Sequence, residues 1–373
     1  MMMDGWTLQE RRKRMIARQL DKSDIERLID KTAGKMKRLE IQIEEDTPAS
    51  IISMDTWDWS QGVGLFSLYK YYLESGDQNV LDAIIDWFDR RLQEGLPPKN
   101  VNTMCPLLTL SYICELKTAN QAQYLSVCKE WAAYAVEGLL RTPENGITHV
   151  AIDHDNSGEL WADTLYMTVL FIARMGVLQG RDDYVQESIH QILVHLKYLT
   201  DKETGLFYHG WTFQERHHFA GALWGRGNAW YLAGMVDYFE IVKLPLGVEM
   251  FLISSLERQV QKLVALQAKS GMWHTLLDDP TSYEETSATA GFAYGILKAV
   301  RKGYLSEEYA DVGIRAMHAV IGRIDADGAV QGVSYGTRMG RTLGFYKQIP
   351  QCPMPYGQSM TLLMLVESLH LFR

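Results

Sequence analysis

Long segments of this chain repeat apolar residues at three- and four-residue spacing, and strand-like alternation is scarce. That spacing predicts helices with one buried face. Two kinds of helix alternate. One kind is amphipathic with a charged face and spans residues 25–39, 79–92, 120–139, 182–199, 248–266 and 306–321. The other opens on a polar or aromatic group and runs into an apolar stretch with small residues. Its copies begin near Trp57, Asn102, Trp161, Trp224, Glu285 and Gly357. Their polar markers, Gln61, Asn102, Asp163, Arg226, Ser287 and Gln358, lie 41, 61, 63, 61 and 71 residues apart.

A period of about 60 residues is one helical hairpin with its loops, and such a unit must stack on its neighbours to bury its apolar face. The pattern predicts an all-α chain in which six helical hairpins close into an (α/α)6 barrel, charged-faced helices outside and apolar ones inside. Inner helices that point the same way put their N-termini, and all six markers, on one rim around one pocket. An open solenoid would instead spread the markers along a groove. No Pro-, Gly- or Ser-rich linker and no break in composition interrupts the chain. One domain over 1–373 is therefore expected, with residues 1–20 packing as an extra helix.

Composition narrows the function. The net charge of −9 argues against a nucleic-acid partner, because neutralising phosphates needs a basic surface. Cys105, Cys114, Cys128 and Cys352 show no zinc-type spacing and read as buried thiols. The charged N-terminus lacks the apolar core of a signal peptide. No uncharged apolar run approaches the roughly 18 residues of a membrane span. These features predict a cytoplasmic protein with no membrane partner. Nineteen Tyr and ten Trp supply either core packing or planes on which a sugar ring can stack.

The rim inventory is Trp57, Trp59, Gln61, Asn102, Asp163, His209, Trp211, Trp224, Arg226, Trp230, Glu285, Ser287 and Gln358, with Asp58 beside it. Asp163 stands in Trp161-Ala162-Asp163-Thr164-Leu165-Tyr166-Met167, between large aromatics at the start of an apolar helix. Burial there is expected to raise its pKa and make it a proton donor near neutral pH. A plainer role is complementing the helix dipole. Arg226 offers a planar fork to a carboxylate, or pairs with an acid of the rim. His217-His218 cannot share a helical face. Asp153-His154-Asp155-Asn156 lacks helical ligand spacing and runs into turn residues. No metal is expected. Dinucleotide, phosphate-loop and GxSxG fingerprints are absent, so no cofactor is expected either.

Three motifs in order carry a family resemblance: Trp161 to Met167; Gly205-Leu206-Phe207-Tyr208-His209-Gly210-Trp211; and Trp224-Gly225-Arg226-Gly227-Asn228-Ala229-Trp230. With Glu285-Thr286-Ser287 they resemble glycoside hydrolase family 105, the unsaturated rhamnogalacturonyl hydrolases, from about Trp57 to the C-terminus. The resemblance implies a six-hairpin barrel. It also implies hydration of the 4,5 double bond that lyases leave in a terminal uronate, with release of the second sugar. Asp163 matches the general acid/base. His209, Trp211, Trp224, Arg226 and Trp230 match the uronate subsite, which Trp57, Trp59, Gln61, Asn102, Trp161, Glu285 and Ser287 are expected to complete. Some relatives carry an Asp where this chain has Asn102, and Asn cannot carry a proton.

Other readings stay open on the residues alone. A two-carboxylate glycosidase would need a second acid, for which Asp58 and Glu285 are available. An epimerase would want a histidine pair, and only His274 offers itself beside His209. A non-catalytic sugar-binding protein would need the aromatics and Arg226 but not Asp163. The partner expected in each case is a small oligosaccharide.

Overall fold

The structure, a computed structural model, describes residues 20–39, 53–150 and 156–372. The extra helix expected over 1–20 falls, but for Leu20, outside them, as does Asp153-His154-Asp155. Six hairpins follow one another. They pair α1 (Lys22–Met36) with α2 (Trp59–Ser75), α3 (Gln78–Glu94) with α4 (Cys105–Ile113), and α5 (Gln121–Glu137) with α6 (Leu170–Gln179). Next come α7 (Asp182–Leu199) with α8 (Gly225–Ile241) and α9 (Leu246–Leu266) with α10 (Thr286–Arg301). The last pairs α11 (Ala310–Ile321), past a short α12 (Leu343–Lys347), with α13 (Pro355–Ser368).

The second helix of each pair lies inside. Helix α2 packs on α4, α4 on α6, α6 on α8, α8 on α10, α10 on α13, and α13 back on α2. The ring is closed, which excludes the open solenoid. Outer helices bury one stripe: α3 sinks only Leu81, Ile84, Trp87 and Phe88, a spacing of three and four that lies on one face. Inner helices are buried on nearly every face, except toward the C-terminal ends of α2 and α6, and every residue of α13 is covered. Small residues let them approach. A Cβ on Gly295 would stand 2.5 Å from Leu232 Cγ, so α10 meets α8 there through bare backbone. Each large side chain so buried contributes roughly 1.5–3 kcal/mol. Among the described residues no helix is long and apolar enough to cross a membrane.

The inner helices run parallel, and their C-terminal ends meet in a buried ionic network. Lys298 Nζ lies 2.6 Å from Asp237 Oδ1 and 2.5 Å from Glu240 Oε2. Lys70 reaches Asp237 at 3.2 Å, and the Tyr294 hydroxyl donates to the same carboxylate at 2.9 Å. Helices α2, α8 and α10 are tied together at this end. The network also answers the partial negative charge of the helix C-termini.

Removing one member leaves the others buried and uncompensated, which costs about 3–5 kcal/mol. Lys298→Met should therefore lower the urea-unfolding free energy by about that much, despite keeping an apolar stem of similar length. A loss near zero would show that the network does not hold this end of the barrel together.

Candidate functional site

The opposite end gathers the helix N-termini, and here the aromatic supply concentrates. Asp163 and Thr164 begin the third inner helix, whose next turn, Leu165–Val169, is wound as a π-helix before α6 proper. Such wide turns recur at functional sites. The preceding residues form β1 (Glu159–Trp161), paired antiparallel with β2 (Gly210–Thr212). Ala162 N–H donates to His209 C=O at 3.0 Å. This pairing sets Asp163 beside His209, with Oδ2 and Nε2 3.5 Å apart. His209 is 2% exposed, and neither of those two atoms has a hydrogen-bond partner among the described residues.

Ring contacts run outward from this pair. His209 packs on Trp224 with centroids 4.1 Å apart and meets Trp161 edge-on at 5.4 Å. Arg226 lies over Trp224 at 4.7 Å and over Tyr356 at 4.8 Å. Tyr356 continues to Trp59, Trp59 to Trp230, and Trp230 to Tyr166. The buried indole N–H groups of Trp211, Trp224 and Trp230 and the Tyr166 hydroxyl have no partner among the described residues. A buried donor without a partner costs about 1–3 kcal/mol, so a polar ligand that satisfies several of them gains from each. Trp211 packs with Tyr198, Phe213 and His218 on the flank. Asn102 opens the short 3-10 turn before α4 and is half-buried.

Several expectations need correcting. Trp57 is core: its indole N–H donates to Thr103 C=O at 2.8 Å and its ring packs on Trp87, Phe88 and Trp131. The polar markers do not all converge. Gln358 is fully buried, accepts from Val330 N–H at 2.5 Å and donates to the Gly328 carbonyl at 2.9 Å. Gln61 donates to the Ser53 carbonyl. Both tie loops to helix starts. Asp58 caps α2 by accepting from Trp59 N–H at 2.7 Å. Glu285 caps α10, accepting from Ala288 N–H, Ser287 Oγ and Ser334 N–H, so it is no second acid facing Asp163. Ser287 is spent on that cap. Trp161 is buried, its N–H held by Glu159 at 2.8 Å.

Arg226 departs furthest. Its four terminal N–H groups are taken by Ser334 C=O (3.0 Å), Ser334 Oγ (2.6 Å), Tyr335 C=O (3.3 Å) and Thr337 Oγ1 (2.8 Å). Glu285 lies 3.9 Å away. The fork expected to grip a ligand carboxylate instead holds the 334–337 loop in place. Its charge, however, is still felt at Asp163.

The electrostatics also differ from expectation. Burial pushes the Asp163 carboxyl up, but His209, His149 and Arg226 together outweigh it and hold the carboxyl below its usual value. Burial lowers His209, with Arg226 adding to this and Asp163 opposing it. At neutral pH the pair is therefore a carboxylate beside a neutral imidazole. Two groups that bear on it were missed in the sequence. His149 stacks flat on Trp161 at 4.5 Å, and its Nδ1 lies 2.9 Å from Thr164 Oγ1. Tyr346 places its hydroxyl 2.7 Å from His209 Nδ1. His149 sits on a loop and Tyr346 on the five-residue α12, both too short to show periodicity. His274, the sequence's candidate partner for His209, contacts the Ser282 carbonyl at 2.6 Å. Among the described residues no three His, Cys, Asp or Glu side chains gather as a metal-binding group.

Comparison with known proteins gives one consistent result. The model of Glycosyl Hydrolase Family 88 matches residues 28–372. The chain is 32% identical over 316 residues to the unsaturated rhamnogalacturonyl hydrolase YesR of Bacillus subtilis, covering 84% of this chain and 90% of that protein. Two solved structures, each described as a possible member of the GH105 family, superpose with TM-scores of 0.90. One, from Klebsiella pneumoniae subsp. pneumoniae, is 42% identical and covers 94% of each chain. The other, from Salmonella enterica serovar Paratyphi A, is 40% identical over 94% of this chain and 95% of that one.

Burial brings the His149 pKa down to about 4. Its unfolded value is near 6.5, so between these values the unfolded chain binds the extra proton. The stabilisation is complete above pH 6.5 and is lost as pH falls toward 4, at most ~3 kcal/mol from this residue. His195, also brought down to about 4 by burial, acts in the same window. His149→Phe keeps a stacking ring and should reduce the loss of unfolding free energy between pH 6.5 and 4 by up to ~3 kcal/mol. An unaltered pH dependence would mean that His149 is not buried neutral.

Proposed function

This chain belongs to glycosyl hydrolase family 88 and is a glycoside hydrolase of the unsaturated rhamnogalacturonyl hydrolase-like kind, and from that premise we propose that it hydrates the 4,5 double bond of an unsaturated uronate with Asp163 as the proton carrier. The substrate class is a lyase-generated disaccharide or short oligosaccharide whose non-reducing end is the unsaturated uronate, rhamnogalacturonyl-type in the first instance. A cytoplasmic setting, acting on imported fragments of pectin, belongs to the same reading.

The observation that carries it is the Asp163–His209 pair, one carboxylate with an unpartnered oxygen in a dry aromatic wall. Addition of water to a vinyl ether needs one proton carrier rather than the acid-and-nucleophile pair of common glycosidases. Glu285 and Asp58, the alternative second acids, are engaged as helix caps. Asn102 can hydrogen-bond a sugar hydroxyl but cannot supply a second proton. In the reaction Asp163 gives its proton to C4, and positive charge develops at C5 and the ring oxygen. Water adds at C5 and returns a proton to Asp163. The hemiketal opens by breaking the C5–O5 bond, and the hemiacetal left at C1 releases the second sugar as its alcohol.

Asp163 rests as a carboxylate, so it must gain a proton before this step. The substrate supplies the reason. Its own carboxylate enters the same water-poor pocket, and two nearby carboxylates cannot both ionise freely. Arg226, spent on the loop, attracts the uronate by its field. Trp224, Trp230 and Trp211 offer ring planes and free indole N–H donors to the sugar, and Trp59 closes the wall.

Two results test the reading. Asp163→Asn should cost about a hundredfold or more in turnover with unfolding unchanged. In heavy water the wild type should deposit deuterium at C4 and leave a saturated disaccharide of the same linkage intact. Near-normal turnover by the variant, or comparable cleavage of the saturated sugar, would sink it. The proton uptake makes a separate prediction. The alkaline limb of kcat, which reports the complex, should lie at higher pH than the alkaline limb of kcat/KM, which reports the free enzyme. Coincident limbs would mean that the substrate does not raise the Asp163 pKa.

A further inference from the structure

The last hairpin supplies a group that acts on the site through His209. We propose that Tyr346 is a positioning residue that holds His209 in the tautomer with its proton on Nε2, turned toward Asp163. Tyr346 sits in α12, 137 positions after His209, and its hydroxyl lies 2.7 Å from His209 Nδ1. The same oxygen accepts from Gly340 N–H at 3.1 Å. The hydroxyl has a single proton to donate. Its only other acceptor among the described contacts is Met339 sulfur at 3.8 Å, a weak one.

Two arrangements compete. In one, Tyr346 donates to Nδ1, and the neutral imidazole carries its proton on Nε2, 3.5 Å from Asp163 Oδ2. In the other, Nδ1 donates to Tyr346, and a bare Nε2 lone pair faces Asp163 Oδ2, both atoms buried from solvent. The first turns a proton toward the carboxylate across 3.5 Å; the second sets lone pair against lone pair. Burial keeps the Tyr346 phenol protonated by pushing its pKa well up, and keeps His209 neutral. The groups facing His209 are Asp163, Arg226, Tyr346, Trp161 and Trp224. Apart from Tyr346, none of them dictates the tautomer from the Nδ1 side.

The consequence concerns which oxygen works. With Nε2–H directed at Oδ2, that oxygen is the one steadied as carboxylate, and Oδ1 is left to carry the moving proton. Gly210 keeps the strand beside His209 close to β1: a Cβ there would stand 2.8 Å from the Leu160 carbonyl, and 2.3 Å from the movable tip of Met339.

The kinetic consequence rests on the reading of Asp163 as proton carrier, whereas the tautomer itself does not. The test is the nitrogen-15 spectrum of histidine-labelled protein, with His209→Gln used to assign the His209 signals. The wild type should show a pyridine-like Nδ1 and a pyrrole-like Nε2. Tyr346→Phe, which keeps the ring and loses only the hydroxyl, should mix the tautomers or shift the proton to Nδ1. It should also lower kcat about tenfold, the worth of one hydrogen bond, with KM within about twofold and near-ultraviolet circular dichroism unchanged. A wild type protonated at Nδ1, an unmoved spectrum in Tyr346→Phe, or an unchanged kcat would each overturn the proposal. An Nε2–H wild type together with an active Asp163→Asn would support the tautomer while overturning the proposed reaction.

Discussion

The parallel alignment of six inner helices governs everything else in this molecule. Each contributes partial positive charge and unsatisfied N–H groups at its N-terminus and partial negative charge at the other end. A closed ring adds these ends together. The C-terminal end is neutralised internally, where Lys70 and Lys298 bind Asp237 and Glu240. The N-terminal end is left to side-chain caps such as Asp58 and Glu285 and to whatever anion enters. The anionic sugar proposed as substrate would meet a rim whose backbone already favours it.

The walls of that rim are loops, and buried charge gives them a defined shape. Arg226 and Glu285 stand at the starts of adjacent helices and are both buried. Between them they bind Ser334 through its N–H, C=O and hydroxyl, and Tyr356 donates to the same carbonyl at 2.6 Å. The residues that look from the sequence like ligand-binding groups therefore divide into two sets. Those spent on loops fix the loops, and Asp163, His209 and the Trp224 and Trp230 indoles keep buried polar atoms without a partner among the described residues.

The sequence makes the barrel legible because one hairpin recurs about every 60 residues and the inner copies lack a polar face. Asp163 and His209 stand out because each lies in a compact motif rich in aromatics, the His209 motif flanked by glycines as well. Arg226 was found but given the wrong partner, since its acceptors begin 108 residues further on, at Ser334. His149, on a loop, and Tyr346, on the five-residue α12, stand outside the repeating helices and carry no period, and only the folded chain brings them to Asp163 and His209. The lowered Asp163 pKa was misjudged for the same reason. Burial is readable from neighbouring tryptophans, but the two imidazoles and the guanidinium that oppose it come from elsewhere.

The ring closes between its first and last inner helices, α2 and α13, and this seam bears on how the chain acquires its shape during synthesis. Contacts between segments nearly 300 residues apart form late, because long loops must be closed before they are rewarded. Asp163, His209 and Arg226 are all made well before the 334–346 segment that steadies them. Until that segment docks, Arg226 and Glu285 lack their Ser334 partner in a pocket with one side missing. A chain whose 334–346 segment has not yet docked holds His209 without the Tyr346 hydroxyl and Arg226 without its loop, so the surroundings of Asp163 are completed from the far end of the ring.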